Sequence, residues 1–108
     1  MTEELPICKV HTVSKVASLQ PGTHVNVLCK VVAARLAAFQ GHSRVVEAEV
    51  GDETGVTTAR FLNAQCDFAR LHSTLIFRNV RVASSGRLEV DAYGSIDVCA
   101  VRIEVQSS

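Results

Sequence analysis

The chain has 108 residues, of which 47% are hydrophobic and 20% charged, a composition typical of a globular protein and not of a disordered one. Eleven Lys and Arg residues balance eleven Asp and Glu residues, so the formal net charge is zero. This excludes a strongly basic nucleic-acid-binding protein but leaves room for a local basic strip, and the length predicts one domain over residues 1–108 with its core at about residues 9–98.

The first third of the chain predicts two strands. Residues 7–13 favour a short edge strand, and Pro21-Gly22 marks a turn. Residues 24–33 then alternate cleanly, which places Lys30 on the face opposite Val27 and Val31. Residues 35–43 lose this alternation and predict a loop or a frayed hairpin tip.

Residues 45–62 predict a β-hairpin, because two alternating runs flank the turn signal Asp-Glu-Thr-Gly of residues 52–55. Pairing outward from this turn sets Glu49 opposite Thr58 and Glu47 opposite Arg60. The predicted inward side chains are Val46, Ala48, Val50, Ala59 and Phe61, and the outward ones are Glu47, Glu49, Thr58, Arg60 and Leu62.

The remaining elements are one helix and three or four strands. Residues 63–71 are the only stretch with a helical pattern, which Asn63 can cap. The predicted strands cover residues 74–83 and 88–92, with a turn at 84–87 between them. The strand pattern breaks at 93–94 and resumes at Ile96 and Val98. A terminal strand at 101–105 is predicted to pair with the N-terminal one.

This element order predicts an all-β fold. Three strands, a short helix and two more strands are the order of a five-stranded OB-fold Greek-key barrel, with the helix between the third and fourth barrel strands. The N- and C-terminal segments add extra edge strands to it.

The cysteines and the N-terminus favour an intracellular protein, nuclear or cytoplasmic. Cys8, Cys29, Cys66 and Cys99 are widely spaced, so reduced and mostly buried thiols are expected in place of a disulfide or zinc framework. The acidic N-terminus does not resemble a secretion signal, and no apolar run is long enough to span a bilayer. We therefore expect no membrane partner.

Cations on predicted outward faces and loops are candidates for phosphate contacts: Lys30, Arg35, Arg44, Arg60, Arg78, Arg81 and Arg87. The alternative is a set of ordinary solvated arginines in cross-strand ion pairs. Glu47, opposite Arg60, is expected to pair with it. Arg78 and Arg81 have opposite parity, so they share a face only if Asn79 marks a β-bulge.

Two aromatic residues lie outside the predicted core. Phe39 falls in the segment that joins the first two barrel strands, and Tyr93 follows the fifth. A loop aromatic at Phe39 could stack on a base, or it could fold over an end of the barrel, as we expect for Tyr93.

The sequence carries no catalytic pattern. It contains neither Gly-x-Ser-x-Gly nor His-Glu-x-x-His, has no glycine-rich phosphate loop, and scatters its four histidines. We therefore predict a non-enzymatic protein without cofactor or metal.

Several motifs resemble the simple eukaryotic single-stranded-DNA-binding OB-fold family. They are Leu-Gln-Pro-Gly at residues 19–22, Gly-Asp-Glu-Thr-Gly at 51–55 and Phe-Arg-Asn-Val-Arg-Val at 77–82. The chain is similar to the single-stranded-DNA-binding proteins of the SOSS damage-sensing complex, and more similar to a plant-type OB-fold group that shares the aromatic-Gly pair at residues 93–94. The resemblance implies binding of single strands by base stacking. The stacking positions it implies are Leu62, Val80, Ser84 and Asp91, and none is aromatic here.

Two functions follow as hypotheses. The first is single-stranded DNA or RNA binding with low sequence specificity, with a role in DNA repair or genome maintenance, through the seven cations with Phe39 as the stacking contact. The second is an OB-fold protein without nucleic-acid binding that docks a protein partner or forms a homodimer through an edge strand such as residues 101–105.

Overall fold

The computed structural model describes residues 10–40, 43–91 and 93–105, with the side chains of residues 37–40 outside this description. The described residues form seven strands, a short α-helix and two 3-10 helices. The strands are β1 (Val10–His11), β2 (His24–Gln40), β3 (Ser43–Asp52), β4 (Gly55–Leu62), β5 (Thr74–Val82), β6 (Leu88–Glu89) and β7 (Ser95–Cys99). The helices are α1 (Val13–Val16) and the 3-10 helices Asn63–Phe68 and Ser84–Gly86.

Five strands pair in a ring. β2, β3 and β4 are antiparallel neighbours, β4 pairs with β6 in parallel, β6 pairs with β5, and β5 returns to β2. This strand order, with a helix between β4 and β5, is that of an OB-fold. β1 and β7 lie at the two ends of the sheet order, so the predicted all-β fold class is confirmed.

The β3–β4 hairpin has the predicted register. Glu49 lies opposite Thr58 and Glu47 opposite Arg60. The Asp52 carboxylate shapes the turn, because its Oδ1 accepts from the Thr54 backbone N–H at 2.8 Å. Its Oδ2 also accepts from the Val13 N–H at 2.9 Å, so the same buried side chain holds the start of α1 against the barrel.

The core fills the inside of the ring with aliphatic side chains and two phenylalanines. Phe61 and Phe77 are fully buried, with ring centroids 5.9 Å apart. Cys29 lies among them, and burial raises the pKa of its thiol, with a further contribution from the Asp52 carboxylate. Cys66 is also buried, and Cys29, Cys66 and Cys99 are free thiols, whereas Cys8 lies outside the described residues.

Of the two structures predicted for residues 35–43, a loop or a frayed hairpin tip, the loop is wrong for residues 35–40, which form the end of the β2–β3 hairpin. β2 continues to Gln40 because it pairs with β3 as far as Gln40 opposite Ser43. Register shifts between Val31 and Ala33 and between Leu36 and Ala38 interrupt the alternation. These irregularities removed the period-two signal without ending the strand.

The helix predictions need two corrections. The predicted helix at residues 63–71 is a 3-10 helix, Asn63–Phe68, and Asn63 has a positive φ of 52° and does not cap it. Its Oδ1 accepts instead from the Arg44 N–H at 3.1 Å. The helix α1 begins at Val13, the last residue of the predicted N-terminal strand, and ends at Val16, and β1 is confined to Val10–His11 within the described part.

The predicted terminal strand at residues 101–105 is also wrong. These residues form no strand, and β1 pairs in parallel with β2 instead. Ile103 is nevertheless buried, so its side chain anchors the segment to the barrel. β6 is shorter than predicted, with two residues in place of the range 88–92.

Among the helices of the described ranges, none has the length and hydropathy needed to cross a membrane.

Candidate nucleic-acid interface

Charged residues of alternating sign occupy neighbouring register positions across the outer surface of the ring. Arg35 on β2 lies opposite Glu47 on β3, and Glu47 lies opposite Arg60 on β4. Arg60 is paired with Glu89 on β6, and Glu89 with Arg81 on β5. We call these five residues the charged row. Opposite charges at adjacent positions stabilise a sheet and reduce its attraction for a polyanion.

The two glutamates of the charged row are already occupied. Glu47 Oε1 lies 3.3 Å from Arg35 Nη2. Glu89 binds two cations, with Oε1 2.6 Å from Arg81 Nη2 and Oε2 3.5 Å from Arg87 Nη2. Three predicted phosphate-binding arginines are therefore neutralised by neighbouring carboxylates.

Arg60, at the centre of the row, differs from these arginines. The expected Glu47–Arg60 ion pair is not formed, because Glu47 turns to Arg35. No carboxylate of the described residues lies within 4.0 Å of the Arg60 guanidinium, and its buried Nε has no hydrogen-bond partner among them. A half-buried guanidinium in this state is available to an anionic ligand.

Arg60 lies in a groove of about 320 Å³ on the outer face of β4, β6 and β5, which we call the Arg60 groove. Its exposed apolar part is Leu62, which is 42% exposed, and the buried Val90 lies beneath it. The complete lining is Arg60, Leu62, Arg81, Glu89, Val90 and Asp91. The groove thus combines a cation that no described carboxylate neutralises with an apolar surface and two carboxylates.

Asp91 is held in place at the edge of this groove. Its Oδ2 lies 2.9 Å from His24 Nε2, and its Oδ1 accepts from the Tyr93 N–H at 2.9 Å. The hydrogen bond with His24, followed by that from Tyr93, holds the pKa of Asp91 below its ordinary value. The groove therefore keeps this negative charge at neutral pH.

A β-bulge brings Arg78 and Arg81 onto the same outer side of β5. Val25 pairs with Val80 and Val27 with Phe77, so two residues of β5 face one of β2, and Asn79 has a φ of 55°. Arg78 nevertheless forms an ion pair with Asp97 of β7 and does not line the Arg60 groove.

Gly94 supports this bulge. A Cβ on Gly94 would lie 2.9 Å from the backbone oxygen of Asn79 and 3.2 Å from that of Arg78. Asn79 Nδ2 donates to the carbonyl of Tyr93 at 3.1 Å. The aromatic-Gly pair thus positions backbone, and the Tyr93 side chain is 78% exposed and does not plug the barrel as expected.

The other predicted site residues lie apart from the Arg60 groove. Arg44 Nη2 is 3.5 Å from Asp67 Oδ1. The backbone of Phe39 is paired with that of Arg44, but its side chain lies outside the described residues. Lys30 lines a separate groove between β5, β7 and the C-terminal segment.

Comparison with known proteins places the chain in a family. The family model described as "Single-stranded DNA binding protein Ssb-like, OB fold" matches residues 8–98. The chain belongs to the Ssb-like OB-fold family. It therefore has a fold of the nucleic-acid-binding type, and such Ssb-like domains generally bind and do not catalyse.

One sequence match and one structural match both come from Arabidopsis thaliana. An uncharacterised protein is 33% identical over an alignment 101 positions long, which covers 77% of this chain and 66% of that protein, so the chain spans just under two thirds of this relative's length. The solution structure of a hypothetical protein has a TM-score of 0.74 and 26% identity, covering 98% of this chain and 83% of the other. The resemblance to the plant-type OB-fold group is confirmed.

The four stacking positions implied by the Ssb-like resemblance do not lie together on one surface. Leu62 and Asp91 both line the Arg60 groove, whereas Val80 is fully buried in the core. Sequence reasoning missed the contribution of Val90, because β6 joins β4 by a parallel pairing between residues far apart in the chain. The only pattern in the sequence that pointed to Val90 was the strand-like alternation of residues 88–92.

Proposed function

We propose that the protein binds single-stranded nucleic acid without catalysis and with low sequence preference, through the Arg60 groove. The observation that carries this proposal is the half-buried Arg60 guanidinium, free of carboxylates within the described residues, in the groove of an Ssb-like OB-fold. A guanidinium can donate two parallel hydrogen bonds to a phosphate group. Binding of this kind requires only the positive charge and its hydrogen-bond donors.

The groove also supplies an apolar surface for the ligand. Leu62 is exposed beside Arg60, above the buried Val90, so a sugar or base next to the bound phosphate can cover the Leu62 side chain. Such contacts contribute less than stacking on an aromatic ring, which is worth about 1–3 kcal/mol per base. We therefore propose weak binding.

The remaining arginines contribute less in this proposal. Arg35, Arg81 and Arg87 each must exchange a glutamate for a phosphate before they can contact a strand. Because log K falls with log salt by about 0.7 per neutralised phosphate of a single strand, one or two free cations give a slope of only about −0.7 to −1.4. A shallow salt dependence is thus a specific consequence of the charged row.

Fluorescence anisotropy of a labelled oligothymidylate at several salt concentrations tests the proposal. We expect Arg60→Gln to weaken binding about tenfold, since a charged hydrogen bond is lost, and Arg60→Lys to recover part of it. Lys15→Gln removes the same charge from an exposed position of α1 and is the matched control. Failure to bind at low salt, or equal losses in Arg60→Gln and Lys15→Gln, would contradict the proposal. A parallel titration with oligouridylate compares RNA with DNA.

A second candidate function is docking of a protein partner or a second copy. It is favoured by the neutralised charged row and by exposed apolar side chains on the β2–β3–β4 face, of which Leu36 is 54% and Leu62 42% exposed. Because residues 101–105 form no strand, the edge strands of the described sheet are β1 and β7, of which β7 is the longer. Light scattering without oligonucleotide tests it: a stable dimer that ignores DNA favours docking.

A further inference from the structure

A second groove has a net positive charge, whereas the two arginines and two carboxylates that line the Arg60 groove sum to zero. It has a volume of about 380 Å³ and lies where the start of β5, the end of β7 and the C-terminal segment meet. Lys30 and Arg102 both line it, together with the hydroxyl-bearing Ser73 and Thr74 and the apolar Val98 and Val101. We call it the Lys30 groove.

The charged side chains that line the Lys30 groove are all basic. Among the residues that the structure describes, neither Lys30 nor Arg102 has a carboxylate within 4.0 Å, and no Asp or Glu lines the groove. The Arg60 groove, by contrast, contains Glu89 and Asp91 beside its two arginines. The two grooves thus differ by two negative charges.

Both cations are positioned by buried neighbours. Lys30 projects outward from β2 because Cys29 and Val31 on either side of it are fully buried. Arg102 precedes the buried Ile103, which anchors the C-terminal segment to the barrel. Neither position therefore depends on a long unsupported loop.

The strand end between them is also constrained. Thr74 pairs with Lys30 in the β2–β5 register, so its position is set by the barrel. The His72 N–H donates to the Val31 carbonyl at 2.8 Å, and the Val31 N–H donates to the Ser73 carbonyl at 2.9 Å. These two hydrogen bonds fix the turn that presents Ser73 and leads into the buried Thr74.

We infer that the Lys30 groove binds a phosphate group of a nucleotide or of a nucleic-acid backbone. Lys30 and Arg102 supply the charge, and the hydroxyl of the half-buried Ser73 is of the type that donates to phosphate oxygens. Val98, 67% exposed, and Val101, 50% exposed, offer an apolar surface beside them for a sugar or base. The volume lies within the range of about 300–1,000 Å³ usual for small-molecule sites.

Amide chemical shifts of the ¹⁵N-labelled full chain test this inference. The chain is titrated with inorganic phosphate, then thymidine monophosphate, then oligothymidylate. All three should shift the amides of Lys30, Thr74 and Arg102. The double substitution Lys30→Gln with Arg102→Gln should weaken phosphate binding about tenfold or more, while Lys15→Gln should leave it unchanged.

The titrations also identify the source of the phosphate. Tighter binding of the oligonucleotide than of the monophosphate at these amides assigns the groove to a strand, and equal affinity assigns it to a free nucleotide. Shifts confined to other residues, or an unaltered affinity in the double variant, overturn the inference. A glutamate-rich peptide that shifts the same amides as strongly as phosphate overturns it as well.

Failure of this site is distinguishable from failure of the Arg60 proposal. Arg60→Gln should reduce oligonucleotide affinity and leave the inorganic phosphate shifts at Lys30 and Arg102 intact. If Arg60→Gln has no effect while the double variant loses phosphate binding, the Arg60 proposal fails and the Lys30 groove stands.

Discussion

Glu47 lies directly opposite Arg60 in the β3–β4 hairpin, yet its carboxylate binds Arg35 on the other neighbouring strand. This choice leaves Arg60 without a carboxylate among the described residues, between two glutamates that are both engaged elsewhere. The local charge of the barrel surface therefore depends on which neighbouring arginine each glutamate pairs with. Removal of one glutamate should change this local charge.

Glu47→Gln should tighten oligonucleotide binding. The substitution frees Arg35 and removes a negative charge next to Arg60, so we expect about a two- to fivefold gain, the size of an exposed ion pair. The salt slope should steepen by about 0.7 for the added cation. Anisotropy at several salt concentrations measures both, and Glu53→Gln, which removes the same charge from the β3–β4 turn, is the control. An unchanged slope would show that Arg35 does not face the strand.

Leu62→Phe should restore a stacking platform in the Arg60 groove. Leu62 is exposed and lines the groove, and one base stacked on an aromatic ring is worth about 1–3 kcal/mol. We expect about a fivefold or larger increase in oligothymidylate affinity. Leu71→Phe adds an aromatic at another exposed position and serves as the control. Equal gains in both variants would indicate nonspecific stickiness and not a strand in the groove.

Asp52→Ala should destabilise the fold. The buried carboxylate accepts from the Val13 N–H and from both the N–H and hydroxyl of Thr54, so its loss frees the start of α1 and the turn together. We expect a cost of about 2–4 kcal/mol in the free energy of unfolding. Urea denaturation measures it, with the exposed neighbour variant Glu53→Ala as the control. A loss no greater than that of Glu53→Ala would mean that the Asp52 carboxylate does not stabilise the start of α1.

Asp91 should make stability fall in acid. The pKa of Asp91 in the folded chain lies below the ordinary value of 3.8, so the unfolded chain binds more protons at acidic pH. The ionised Asp91 therefore stabilises the fold above pH 3.8, and this stabilisation is lost as the pH falls through the folded pKa. Urea midpoints between about pH 7 and about pH 2.5 should therefore decline less in Asp91→Asn than in the unsubstituted protein. Parallel declines in the two proteins would show that the bonds to His24 and Tyr93 do not stabilise the fold.

The strands and turns that depend on neighbouring residues follow from the sequence alone. The β3–β4 register follows from the Asp-Glu-Thr-Gly turn and the period-two alternation beside it, because both act between residues close in the chain. The same alternation identified Phe61 and Val50 as inward and Arg60 and Leu62 as outward. The order of strands and helix then specified the OB-fold.

How the charges combine depends on contacts between strands that are distant in the chain. Arg60 lies opposite Glu89 because β4 pairs in parallel with β6, and Arg35 reaches Glu47 because β2 continues through two register shifts. Lys30 and Arg102, far apart in the chain, line one groove because β2, β5 and the C-terminal segment converge there. An ion pair between strands depends on the distance between those strands. That distance is set by the closure of the ring and by β-bulges, and neither produces a regular pattern in the sequence from which it could be predicted.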